Sequence, residues 1–192
     1  MNRRWCLALV AMVAARGAAA QDTSTLTLRF SLEEGAHVGR RAPAVVLPYA
    51  TADSAGPVNQ PFDLSRELGH VVVLIFYPGN AAPGATDDWR AIAAHETRPA
   101  GSGVVVAGIS PDSIAAQLRF ARELQLPFKL LSDRSLDVAR HFGAVHNRSI
   151  VPLLVVVGRG GRVRYVDPQF APRAAERYVH LDAAIQAARE LQ

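Results

Sequence analysis

The sequence predicts an α/β domain built as a three-layer sandwich around a central mixed sheet. Three runs dominated by apolar residues, Val71–Tyr77, Val104–Ser110 and Leu153–Val157, lack polar alternation, as do strands covered on both faces. The stretches between the first two runs, and after the second, carry apolar residues at helical spacing. A glycine-rich tetrapeptide then separates the third run from its return strand, and an amphipathic segment closes the chain. Alternating strands and helices favour a parallel core, to which a terminal hairpin adds antiparallel strands.

Taken in order, Thr25 to Phe30 alternates polar and apolar residues and predicts a half-buried edge strand. Tyr49 to Gln60, rich in Ala, Gly, Asp and Pro, predicts a surface loop with few packing demands. The run Val71–Tyr77 enters a breaker-rich turn containing Pro78, Gly79, Asn80, Pro83 and Gly84. Thr86 suits a helix cap, with Asp87 and Asp88 where a first turn favours negative charge, so a helix is expected from Thr86 to Glu96. Its apolar face holds Trp89, Ile92 and Ala93.

After the strand Val104–Ser110, Pro111 to Ser113 starts a helix over Ile114 to Leu124, with Ile114, Leu118, Ala121 and Leu124 on its apolar face. Ser135 to Phe142 is a short helix closed by Gly143, which suits a left-handed cap. Gly158–Gly161 makes the hairpin, Arg162 to Val166 returns, and Asp167 to His180 is irregular. Leu181 to Leu191 is the closing helix, with Leu181, Ile185, Ala188 and Leu191 on one face.

The first 20 residues have the layout of a secretory signal: Arg3 and Arg4, an apolar run from Trp5 to Ala15, then Ala18–Ala20. Cleavage after Ala20 predicts a periplasmic or secreted protein, with one domain from Asp22 to Gln192 and no membrane span. It also removes Cys6, the single cysteine of the 192 residues, leaving neither a thiolate nor a disulfide. Losing Arg3, Arg4 and Arg16 reduces 21 basic residues to 18 against 17 acidic ones, so the high pI does not argue for nucleic acid.

The turn carries a specific resemblance. Pro78, Ala82 and Ala85 occupy the first, fifth and eighth positions of a stretch that resembles the P-x-x-x-T-x-x-C loop of peroxiredoxins, the alkyl hydroperoxide reductase and thiol-specific antioxidant family. The likeness is strongest to the bacterioferritin comigratory protein branch, whose T-P-G-C-T stands here as Ala82-Pro83-Gly84-Ala85-Thr86. Val38 to Pro48 resembles the opening segment of redoxin domains, and Asp63 to His70 their lead into the central strand. Val104 to Asp133 resembles the family's V-G-I-S-x-D and L-P-F-x-L-L-S-D region. The resemblance implies a thioredoxin-like fold and a thiol peroxidase site.

It also implies which groups are replaced. The family threonine and cysteine fall on Ala82 and Ala85, the family arginine on Pro152, and the resolving cysteine of that branch on Arg90. By the same resemblance Val151-Pro152 should be a cis bond facing the turn. The helix N-terminus that remains could attract a small anion, with Thr86 and Arg148 as its binding residues.

No cofactor is indicated, and His70, His95, His141 and His146 show no metal-ligand spacing. Arg159, Arg162 and Arg164 form a small basic cluster whose default reading is a solvated face. The expectation is therefore a peroxiredoxin-like domain that lacks the catalytic cysteine and acts by binding an unspecified small molecule or protein. The alternative, implied by the family, is an antioxidant oxidoreductase. Oligomer formation is compatible with either.

Overall fold

The computed structural model describes residues 35–95 and 103–190. The signal segment, the strand expected over Thr25 to Phe30 and the end of the helix expected at Glu96 lie outside those residues. Among the described residues, ten strands and four α-helices follow in chain order: β1 (Val46–Leu47), β2 (Tyr49–Ala50), β3 (Phe62–Asp63), β4 (Val71–Phe76), α1 (Ala85–His95), β5 (Val104–Ser110), α2 (Ile114–Leu124), β6 (Lys129–Ser132), α3 (Asp137–His141), β7 (Val145–His146), β8 (Ser149–Ile150), β9 (Leu153–Val157), β10 (Val163–Asp167) and α4 (Ala175–Glu190).

The central sheet is mixed and six-stranded, in the order β10-β9-β4-β5-β6-β2. β4, β5 and β6 are parallel, while β9, β10 and β2 each run antiparallel to their neighbours. β4 lies in the middle, and every one of its residues is buried. Successive side chains supply opposite faces of the sheet. Val71, Val73 and Ile75 pack with Trp89 and Ile92 of α1, Phe120 and Ala121 of α2, and Leu181 and Ile185 of α4. Val72, Leu74 and Phe76 pack with Ala139 of α3, Phe142, Ile150 and the N-terminal residues Val45, Leu47 and Phe62. A strand buried on both sides has no reason to alternate, which is why its apolar run is unbroken.

The structure departs from the sequence expectations at several points. Tyr49–Ala50 is not free loop: it pairs with Leu130 and Leu131 at the sheet edge, and Ala50 is wholly buried. α4 starts at Ala175, six residues before Leu181, because Tyr178 joins its buried face and extends the apolar stripe towards the N-terminus. The buried face of α2 centres on Gln117, Phe120 and Ala121, so the apolar positions expected at Ile114, Leu118 and Leu124 flank it. Ser113 caps that helix, its Oγ accepting from Ala116 N at 3.3 Å.

α3 is shorter than expected, and Gly143 follows it at φ +76°, the left-handed conformation anticipated for a cap. No cis peptide bond occurs among the described residues, so Val151-Pro152 is trans, contrary to the expectation. Val151 N is held by Ala144 O at 2.9 Å, which ties this segment to the end of α3 in the trans form.

Candidate functional site

The site forms where β4 delivers the chain into α1. Tyr77 continues the ladder for one residue, its N–H donating to Ile109 O at 3.0 Å. Gly79 then adopts φ +139°, and a Cβ there would stand 3.1 Å from Asp112 Oδ2. Glycine is required by conformation and by close approach together. Asn80 N–H donates to the same Oδ2 at 2.7 Å, so the turn is anchored to the loop after β5.

A polar network behind the turn fixes it further. Gln117 Nε2 donates to Ser110 Oγ at 2.9 Å and to Leu131 O at 3.1 Å. Its Oε1 accepts from Asn80 Nδ2 at 3.2 Å and lies 2.9 Å from Tyr77 Oη. Ser110 Oγ donates to Asp112 Oδ2 at 2.9 Å, and Ser132 Oγ to Asp112 O at 2.6 Å. Burial raises the Tyr77 pKa well above its ordinary value; hydrogen bonds with Ser110 and Gln117 pull it back in part, and the charge of Asp112 adds to the rise. Tyr77 is thus a neutral strut, unsuited to acid or base work at neutral pH.

In front of the turn is a cavity of about 140 Å³. The degenerate motif positions Pro78, Ala82, Ala85 and Pro152 all line it, together with Trp89, Ile92, Phe170 and Pro172. Trp89 packs edge-on against Tyr77, centroids 4.9 Å apart, and is tilted against Phe128 at 5.3 Å. The wall opposite α1 comes from the segment between β10 and α4. Phe170 stacks edge-on against Tyr178, whose hydroxyl donates to Pro172 O at 2.7 Å. Arg173 Nε meets Asp88 Oδ1 at 3.0 Å, pinning that segment to α1 beside Gly84.

Neither of the two expected binding residues lines this cavity. Thr86 is the second residue of α1 rather than its cap, since the helix already begins at Ala85. Arg148 is exposed in the two-residue turn joining β7 to β8, where Asn147 and Arg148 have φ +48° and +62°. Two positive φ values are what a type I′ hairpin turn demands. His70, His141 and His146 are exposed, and His95 approaches Asp182 at 3.3 Å while stacking on Tyr178. Among the described residues no group of three His, Cys, Asp or Glu side chains converges as a metal site would.

Sequence reasoning missed the wall formed by Phe170 and Pro172 and the Arg173 that ties it to Asp88. Its available signal was an aromatic held between Pro168 and Pro172, inconsistent with a purely solvated loop. It also missed Gln117, a polar residue in the middle of an apolar helix face.

A parallel strand, a turn and a helix whose start faces the beginning of β9 define a thioredoxin-like domain. Residues 38–166 match the AhpC/TSA family, and the chain belongs to that family. It is 34% identical over 112 residues to a putative peroxiredoxin bcp of Coxiella burnetii, covering 58% of this chain and 70% of that protein. It is 35% identical over 96 residues to the chloroplastic peroxiredoxin Q of Sedum lineare; the match spans only half the length of each. Among solved structures, the Xanthomonas campestris bacterioferritin comigratory protein superposes with a TM-score of 0.65 at 21% identity, over 80% of this chain and all of that one. BcpB of Mycobacterium tuberculosis gives 0.63 at 24% identity, over 82% and 99%. These two share the fold with this chain.

Proposed function

We propose that this chain is an exported peroxiredoxin-like domain without thiol chemistry, whose site binds a small neutral apolar molecule. A thiol peroxidase needs a thiolate, with donors for the charge developing on the peroxide oxygen. The turn carries methyl groups at Ala82 and Ala85, and the sole cysteine, Cys6, belongs to the stretch that reads as a removable leader.

The single observation that carries the binding reading is the cavity at that turn, lined by alanine, proline and aromatic side chains. An enclosed apolar core cavity of about 150 Å³ accepts a benzene-sized molecule, and this pocket, open on one side, offers a similar volume. An anion is disfavoured there, because Asp88 lines the cavity and its partner Arg173 is already engaged. Calorimetric titration with benzene and with hexanoate tests this. Saturable heat with benzene alone is expected; binding of hexanoate in preference to benzene would contradict it.

Family membership favours a second reading, an oxidoreductase that borrows a partner's cysteine. Disulfide turnover that requires such a partner, and that is lost when the cavity is filled by Ala85→Leu, would select it.

A further inference from the structure

At the pole of the sheet opposite the cavity, two segments far apart in sequence bring arginines together. Arg41 and Arg162 face each other in an isolated antiparallel bridge, and Val163 N–H donates to Arg40 O at 2.9 Å. Arg159 occupies the adjoining hairpin turn, its carbonyl accepting from Gly69 N at 3.0 Å. All four side chains are exposed. Like charges directly opposite each other on paired strands are destabilising, so the fold does not need this arrangement.

Nothing nearby neutralises it among the described residues. Neither residues 35–48 nor 157–166 contain Asp or Glu. Asp63 and Glu67, on the neighbouring turn, are engaged by Arg66 at 3.6 Å and Lys129 at 3.5 Å. Among the described residues, Arg162 Nη1 donates to Gly39 O at 3.0 Å.

Two large apolar side chains stand at the same pole. Val38, 64% exposed, is two residues from Arg40. Leu68, 47% exposed, reaches within 3.0 Å of a Cβ position at Gly161 in the hairpin. Guanidinium forks suit phosphate oxygens, and apolar side chains among them suit the boundary between headgroups and acyl chains. A soluble polyanion would satisfy the charges and leave Val38 and Leu68 in water.

We infer that this arginine pole docks on the surface of an anionic phospholipid bilayer, with Val38 and Leu68 dipping into the headgroup layer. The docking is peripheral and independent of the cavity.

The test is vesicle co-sedimentation of the protein as recovered from an expressing cell, at roughly 0.1 M salt, where the Debye length is about 10 Å. Phosphatidylglycerol-containing vesicles are compared with pure phosphatidylcholine ones. The triple variant Arg40→Gln, Arg41→Gln, Arg159→Gln spares the bond from Arg162 to Gly39. It should lose about 100-fold in partitioning, roughly fivefold per arginine. Val38→Ser with Leu68→Ser should weaken vesicle binding while leaving retention on heparin unchanged. Comparing variants of one chain cancels any contribution from the leader, and thermal unfolding checks that each variant is folded.

Equal binding to both vesicle types, or undiminished binding of a folded triple variant, would overturn the inference. So would a Val38, Leu68 variant that binds vesicles as well as wild type, which would assign the pole to soluble polyanions.

Discussion

Replacing Gly108 by alanine adds one methyl group at the most crowded point behind the cavity. Gly108 lies on β5 between Ile75 of β4 and Leu130 of β6. A Cβ there would stand 2.4 Å from Trp89 Cη2, 2.7 Å from Cζ2 and 2.8 Å from Leu130 Cδ2. The indole tip must retreat by about 1 Å to reach ordinary van der Waals contact. Tyr77 and Phe128 flank the ring, so the slack open to it is the cavity it lines. Overpacking of a well-filled core costs about 1–3 kcal/mol, and the adjoining space holds this case near 2 kcal/mol. For a domain of this size that lowers Tm by about 6 °C. Urea unfolding followed by far-UV circular dichroism gives the stability change, and benzene titration of the folded variant should show affinity reduced at least tenfold. A change below about 0.5 kcal/mol with unaltered benzene binding would refute the placement of Trp89 between β5 and the cavity.

Two other perturbations probe the network behind the turn. Gln117→Ala removes four hydrogen-bond contacts and takes a partner from the Asn80 side-chain amide and the buried Leu131 carbonyl; a loss of about 2–3 kcal/mol is expected in urea unfolding, and a loss under about 0.5 kcal/mol would contradict the network. The raised pKa of Tyr77 means that its contribution to stability is intact below its unfolded value of 10.0 and is lost as pH climbs beyond it. Phenolate absorbance should therefore show no Tyr77 step near pH 10 while the chain is folded, and a step there that vanishes in Tyr77→Phe would show the hydroxyl to be solvated.

The parts of the fold legible in the sequence were those set by burial on both faces. Val71–Phe76, Val104–Ser110 and Leu153–Val157 have no competing explanation for their apolar runs, and the helix Ile114–Leu124 lies where its spacing places it. Two-residue strands such as Tyr49–Ala50 and Ser149–Ile150 are too short to carry a period, and only their partners in space define them. The site divides in the same way. The turn from Pro78 to Ala85 is written in local breakers, and all four motif positions reach the cavity. Phe170, Pro172 and Arg173 arrive from the end of the sheet, a tertiary closure that local pattern does not encode. Arg148 shows the converse: spacing from Pro152 suggested reach into the pocket, but the hairpin turn points the chain elsewhere.

The absence of a sulfur nucleophile at this turn is tested most directly by hydrogen peroxide consumption with dithiothreitol. The metal-free Cys6→Ala protein and the same chain carrying Ala82→Thr and Ala85→Cys are compared. The account predicts that Cys6→Ala consumes peroxide no faster than buffer, and that the double replacement gains a thiol with a pKa below about 8.5 and measurable turnover. Enzymatic turnover by Cys6→Ala alone would contradict it.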